Sequence, residues 1–259
     1  MKLRFLGTGT SSGVPVLLCK CPVCRSTDPR DTRLRSSAII EVGGLNLLID
    51  CGPDIRQQLF RAGCPPIDAV LLTHSHYDHV GGIDDLRPYC FMQPGGPRDI
   101  PVYARADVMR DLKIRVPYCF AAHPYPGVPR FELHTIADGQ TFNIGPVEIT
   151  ALPILHDRLS ILGFRFGPLA YITDCSFMPG TTKRLISGLD TLVVNALRIE
   201  PHHSHMNLQQ ALDVIKETAP RRAFLTHLCH SIGLHAEVEP RLPKGVRIAC
   251  DGLVVNISD

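Results

Sequence analysis

Short apolar runs broken by turn residues dominate the chain, and their length and alternation read as strands more often than as helices. Strands are predicted at Leu3–Leu6, Ser37–Val42, Leu45–Asp50, Ala69–Thr73, Pro101–Ala104, Phe131–Ile136, Val147–Leu152, Leu162–Phe166, Leu169–Asp174, Leu192–Ala196, Ala223–Thr226, Val246–Ala249 and Leu253–Ile257. Gly43-Gly44 is the two-residue loop of a tight hairpin, and Gly167-Pro168 joins a second pair of runs in the same way. Helical spacing is found at Pro53–Ala62, Asp107–Ile114, Thr181–Ser187 and Asn207–Thr218. In the last of these Leu208, Ala211, Leu212 and Ile215 share a face, Asn207 is placed to cap it, and Pro220 lies beyond its end. Hairpins followed by helices in both halves predict two stacked sheets with helices outside, an α/β layered sandwich. The Pro-, Gly- and aromatic-rich segments Cys90–Ile100 and Val116–Arg130 read as surface loops that could wall a pocket.

Composition narrows the class. The 259 residues exceed the usual size of a domain, yet no linker divides them, so one domain over 1–259 is expected. Lys and Arg number 27 against 25 Asp and Glu, a formal charge of +2, which gives no broad electrostatic footprint for nucleic acid or an anionic membrane. The N-terminal run breaks into Gly after six residues, and no stretch approaches the roughly 18 apolar residues of a membrane span, so a cytoplasmic protein is expected. In a reducing compartment the 10 cysteines are more plausible as metal ligands, catalytic groups or packing than as a disulfide framework.

The 12 histidines and those cysteines fall into two constellations. His74-Ser-His76-Tyr-Asp78-His79 follows directly on the apolar run Ala69–Thr73, so three imidazoles and a carboxylate emerge where a buried strand opens into a loop. Such a set can converge on a divalent metal without a long excursion of the chain. Leu152-Pro-Ile-Leu-His156, Tyr171-Ile-Thr-Asp174 and Leu225-Thr-His227 each place one more such residue after an apolar run, and Asp50 ends another. In the second constellation Cys19, Cys21 and Cys24 put three thiols within six residues, the makings of a closed tetrahedral zinc site that lacks only a fourth ligand. His230 and Cys229 compete for that place, with His230 favoured.

The order of these motifs resembles the metallo-β-lactamase superfamily along almost the whole chain, which implies a four-layer αββα sandwich. The resemblance further implies that His74, His76 and His156 hold one metal ion, that Asp78, His79 and His227 hold another, and that Asp174 bridges both. Asp50 would orient the ligands. The Cys19-x-Cys21-x-x-Cys24 motif combined with His227-x-x-His230 resembles the cyclic phosphoribosyl phosphodiesterases of phosphonate breakdown, the PhnP group, in which three cysteines and the second histidine hold a structural zinc. In that group a histidine at the position of His205 is thought to act as general acid, with Asp78 at the catalytic metals and Arg158 placed where a basic residue could meet phosphate. The implied reaction is hydrolysis of a small, cyclic phosphodiester by a hydroxide on two divalent ions, Zn²⁺ or Mn²⁺ with Fe²⁺ also suited. The implied partner is the small substrate alone, without membrane or nucleic acid, and a homodimer stays open. The competing readings are a hydrolase of another ester or thioester, a protein like those of pyrroloquinoline quinone biosynthesis, and a metal-binding scaffold without turnover. Tyr118, Phe120, His123 and Tyr125 could stack a base or sugar, or simply pack their loop.

Overall fold

The computed structural model describes residues 1–258. The first half of the chain builds one mixed sheet from β1 (Lys2–Gly7), β2 (Ser37–Val42), β3 (Leu45–Ile49), β4 (Ala69–Leu71), β5 (Ile100–Ala104) and β6 (Phe131–Thr135). The second half builds another from β7 (Thr141–Ile144), β8 (Val147–His156), β9 (Leu159–Phe166), β10 (Leu169–Tyr171), β11 (Thr191–Asn195), β12 (Arg222–Thr226) and β13 (Val246–Ile248). A final strand, β14 (Val254–Asn256), crosses back to pair with β1, so the spatial orders are 14-1-2-3-4-5-6 and 13-12-11-10-9-8-7. Helices α1 (Ile55–Arg61), α2 (Tyr77–Val80), α3 (Arg87–Phe91) and α4 (Ala106–Arg115) belong to the first half, and α5 (Gly180–Leu185), α6 (Leu208–Thr218) and α7 (His235–Val238) to the second.

Three apolar cores separate the layers. Leu3, Phe5, Ile40, Leu47 and Leu71 of the first sheet meet Ile149, Phe164, Tyr171 and Phe224 of the second in the central core. The opposite faces of the same strands pack under the helices, with Ile39, Leu48 and Val70 against Leu59, Val108 and Leu112, and with Leu192 and Leu225 against Ala211 and Ile215. Strands buried on both faces explain why their sequences read as continuous apolar runs rather than as strict alternation. The result is the αββα sandwich. Among the described residues no helix is long and apolar enough to cross a membrane.

The structure lengthens some predicted elements and adds others. The run expected to stop at Leu152 continues to His156, because Pro153 pairs opposite Leu162 without breaking the β8–β9 ladder. His156 therefore sits beside a two-residue turn, Asp157-Arg158, rather than on a free loop. Strand β7 was not predicted; its Thr141-Phe-Asn-Ile segment pairs with β8 alone at the sheet edge and sets Phe142 and Ile144 against the central core. The segment Cys90–Ile100 is not wholly a surface loop, since Cys90 and Phe91 end α3 and Cys90 is fully buried. Asn207 caps α6 as predicted, in a reciprocal pair with Gln210.

The parallel ladders decide where the chemistry lies. Strands β3 to β6 run parallel in one sheet and β10 to β13 in the other, so Asp50, the His74–His79 segment, Asp174 and His227 all emerge at carboxyl ends of parallel strands. Asp50, Asp174 and His227 each adopt a left-handed backbone, with φ of 58°, 55° and 55°. Gly52 lets the Asp50 turn lie against α2: a Cβ there would collide with the Asp78 carbonyl oxygen. Cys51 N–H donates to the His79 carbonyl at 2.7 Å across the same contact.

Between β13 and β14, Asp251 accepts hydrogen bonds from Thr8 Oγ1 and Leu34 N–H, both at 2.7 Å, and so ties the crossover to the segments flanking β1 and β2. Burial pushes its carboxyl up to about 6 in spite of these bonds. In the unfolded chain it titrates near 4. The folded protein thus keeps a proton that unfolding releases between about pH 4 and 6, and this contribution to stability is present below that window and lost as pH rises through it. We predict that the melting temperature of the natural protein falls relative to Asp251→Asn from pH 4 to 6; parallel pH profiles of the two would refute it.

Candidate metal centre

The predicted ligands converge in two adjoining groups. His74, His76 and His156 form one, and Asp78, His79, Asp174 and His227 the other, the ligand atoms within each lying no more than 4.8 Å apart. Asp174 also belongs to a third such group with His156 and His205, so it stands between the two. His79 Nε2 lies 3.1 Å from Asp78 Oδ2 and 3.2 Å from Asp174 Oδ2, and His227 Nε2 lies 3.2 Å from Asp174 Oδ1.

Tautomers follow from hydrogen-bond accounting. The Ser204 carbonyl can only accept, so His156 Nδ1 carries the proton and donates to it at 2.7 Å. Asp50 accepts from His79 Nδ1 at 2.6 Å. The Ser36 hydroxyl donates to the Gly9 carbonyl and is left to accept from His227 Nδ1 at 3.1 Å. In the same way Thr73 Oγ1 donates to Asp50 and accepts from His74 Nδ1 at 3.0 Å. Four imidazoles therefore carry their proton on Nδ1 when neutral and aim Nε2 inward. The Nε2 atoms of His74, His79 and His227 are buried without a hydrogen-bond partner. A buried nitrogen without a directed hydrogen bond is costly, and three of them, two within 3.2 Å of a carboxylate oxygen, fit the donor set of a divalent cation.

The electrostatics agree. Burial, reinforced by His79, holds His74 far below the ordinary imidazole value, and burial pushes His227 down to about 4 against the pull of Asp174. Burial also lowers His156. Burial would raise Asp78 and Asp174, but the neighbouring histidines outweigh it and hold both carboxyls well below their usual range. His79 goes the other way: burial opposes its charge, yet Asp174, Asp50 and Asp78 together pull it well above the ordinary value. A cation at that position would take the place of the His79 proton.

His205 Nε2 lies 3.0 Å from Asp174 Oδ1, at the edge of the same cluster. Its Nδ1 is 2.9 Å from Ser204 Oγ and 3.3 Å from His202 Nδ1. Arg158 is exposed on the turn after His156 and makes no hydrogen bond or ion pair with another described residue. The aromatic residues of 116–130 pack the loop: Tyr118 Oη donates to Asp84 at 2.7 Å, and Arg87 reaches Tyr125 Oη at 3.3 Å. Ser36, Thr73 and the Ser204 carbonyl were missed as orienting groups, because nothing in the sequence distinguishes a serine or threonine that meets a histidine from another segment.

Cys19, Cys21, Cys24 and His230 form a separate cluster within the same 4.8 Å limit. His230 Nδ1 lies 3.2 Å from Cys19 Sγ and 3.3 Å from Cys21 Sγ, whereas Cys229 turns away to Ser231. The Cys24 N–H points at Cys21 Sγ and is the main cause that holds this thiol down at about 6, ready to bind as thiolate. The cluster sits beside the first centre: Leu228 pairs with Gly9, and the Thr10 N–H donates to the Leu228 carbonyl at 3.1 Å.

Comparisons with known proteins agree with this architecture. The pattern of the beta-lactamase superfamily domain matches residues 45–228. The chain is 40% identical over 261 aligned residues to an octanoyltransferase of Porphyromonas gingivalis, covering 100% of this chain and 52% of that protein, so it spans about half of that relative's length. It is 31% identical over 225 residues to coenzyme PQQ synthesis protein B of Methylobacterium radiotolerans, covering 74% of this chain and 72% of the other. The crystal structure of a diphosphatase from the PhnP family superimposes with a TM-score of 0.92 at 36% identity, over 99% of this chain and 98% of that one.

Asp78→Ala or Asp174→Ala is predicted to lower bound divalent metal by about one ion per chain; full metal content by elemental analysis would remove the residue from the ligand set. Cys21→Ser is predicted to melt several degrees lower while the His/Asp cluster keeps its ions. An unchanged melting temperature would deny the thiolate cluster a structural role.

Proposed function

Because the chain belongs to the beta-lactamase superfamily and carries its hydrolase fold, we propose that it is a dinuclear-metal phosphodiesterase that cleaves a small, cyclic phosphodiester. The observation that carries this reading is the set of buried, unpartnered Nε2 atoms facing Asp78 and Asp174. In it His74, His76 and His156 would hold one divalent ion, Asp78, His79 and His227 a second, and Asp174, which belongs to neighbouring groups of both, would serve the two. Zn²⁺ and Mn²⁺ suit this nitrogen and oxygen set, with Fe²⁺ a further candidate, and Zn²⁺ suits the thiolate cluster. Bound divalent ions would supply Lewis-acid charge, activating water and neutralising charge on the substrate.

The chain's own groups do the rest. Asp50, Ser36, Thr73 and the Ser204 carbonyl hold the imidazoles in one tautomer and one direction. His205 has its Nε2 at the Asp174 carboxylate and a second anchor at Ser204, so it can carry a proton to a leaving alkoxide. Arg158, exposed on the turn after His156 and without a hydrogen-bond or ion-pair partner among the described residues, would meet an anionic phosphoryl oxygen. The partner is then a small anion rather than nucleic acid, consistent with the +2 formal charge of the chain.

A second reading, cleavage of a diphosphate, is favoured by the 36% identity to the PhnP-family diphosphatase. The two differ in what leaves. An alkoxide needs a proton in the transition state, while a phosphate group is already a stable anion. An ester or thioester hydrolase is the competing class, to which the octanoyltransferase name of a relative twice as long also points. We predict that the metal-loaded protein hydrolyses cyclic and alkyl phosphodiesters in a panel that includes diphosphates, lactams and thioesters. His205→Ala should lose about 10²–10⁴ in rate on alkyl esters and much less on nitrophenyl esters. Turnover of thioesters or lactams alone would refute the phosphodiesterase reading, and an equal rate for His205→Ala on alkyl esters would refute the acid role.

A further inference from the structure

Four of the five histidines in the two ligand groups are oriented through Nδ1 by another part of the protein, and His76 is the exception. It is exposed, and neither ring nitrogen has a hydrogen-bond partner among the described residues. Its ring meets only those of His74 and His156, edge-on at 4.5 and 5.0 Å. With no hydrogen bond at its ring, this imidazole is aimed by those two rings and by the backbone that carries it. On the C-terminal side α2 does so, since the His76 carbonyl accepts from His79 N–H at 3.0 Å and Val80 N–H at 3.2 Å.

On the N-terminal side lies Ser75, whose hydroxyl and carbonyl are both taken by α4. The Ser75 hydroxyl donates to Asp111 Oδ2 at 2.5 Å, and the Arg115 guanidinium donates to the Ser75 carbonyl at 2.9 Å. That carbonyl belongs to the peptide plane joining Ser75 to His76, so holding it fixes the rotation from which the His76 side chain departs. Asp111 and Arg115 are spaced to pair with each other along the helix. Instead each reaches across to Ser75, and neither makes another hydrogen bond or ion pair with a described residue. The helix offers a firm base, with Val108, Met109 and Leu112 buried in the outer core.

We propose that Asp111 and Arg115 are positioning residues that clamp Ser75 and thereby aim His76 at its metal ion, doing from the backbone what Asp50, Ser36, Thr73 and Ser204 do at the rings of the other histidines. This role rests on the metal reading of the His/Asp cluster. Its test is titration of the metal-stripped protein with Co²⁺ alone, in which the thiolate site gives strong sulfur-to-cobalt absorption and the His/Asp site only weak ligand-field bands. Asp111→Ala and Arg115→Ala should each weaken one Co²⁺ at the His/Asp site by about 10–100-fold and shift its bands. The thiolate site and the melting temperature of the metal-free protein should not change. Arg115→Lys, which keeps a donor for the carbonyl, should recover much of the affinity. Ser75→Ala removes a single hydroxyl and should reproduce Asp111→Ala without adding to it. Unchanged affinity and bands in Ser75→Ala and in the folded helix variants would overturn the role, as would an equal loss at the thiolate site, the mark of a general defect. A natural protein that binds no Co²⁺ at the His/Asp cluster would instead overturn the metal reading itself.

Discussion

Everything at the centre depends on where four imidazole protons sit. In a dry interior each N–H must find an acceptor, and here the acceptors are Asp50, Thr73, Ser36 and the Ser204 carbonyl. They arrive from the end of β3, the end of β4, the segment before β2 and the loop before α6. No local stretch of chain can assemble them. Two of the four pairs, His74 with Thr73 and His79 with Asp50, form within the first sheet, His156 meets Ser204 within the second half, and His227 meets Ser36 only across the two, so the complete set needs both halves of the fold.

That dependence explains what could be read from the sequence. Histidines and aspartates carry their chemistry in their identity, so the His74–His79 segment stood out by its density; His156, Asp174 and His227 stood out only through their order along the chain and the family it resembles, and the layered sandwich followed from hairpins succeeded by helices in both halves. Cys19, Cys21, Cys24 and His230 were legible for the same reason. The orienting groups were not, because a serine before β2 and a threonine after β4 look like any others until the sheets bring them to a ring. Strand β7 escaped because its partner supplies what its own sequence lacks, and the β8–β9 hairpin was cut short because Pro153 signals a break that an opposing strand can absorb. Tertiary pairing overrode local preference in both places.

The same sandwich serves many reactions, and the difference lies in what covers the strand ends. In this chain the segment 116–130 is fastened to the body of the protein: Asp84 takes the Tyr118 hydroxyl and pairs with Arg87, which in turn reaches Tyr125 and the Gly127 carbonyl. Two of its aromatic residues, Tyr118 and Tyr125, use their hydroxyls for this attachment.

Asp50, Asp174 and His227 leave their strands in a left-handed conformation that costs an L-residue about 1–2 kcal/mol. A glycine in any of the three places would relax the backbone, but at Asp50 it would strip His79 Nδ1 of its acceptor, and at Asp174 it would take away the carboxylate that faces His79 and His227. The strain is thus bound to the chemistry, because the side chains the cluster is built from stand at the very positions where the backbone would prefer to have none.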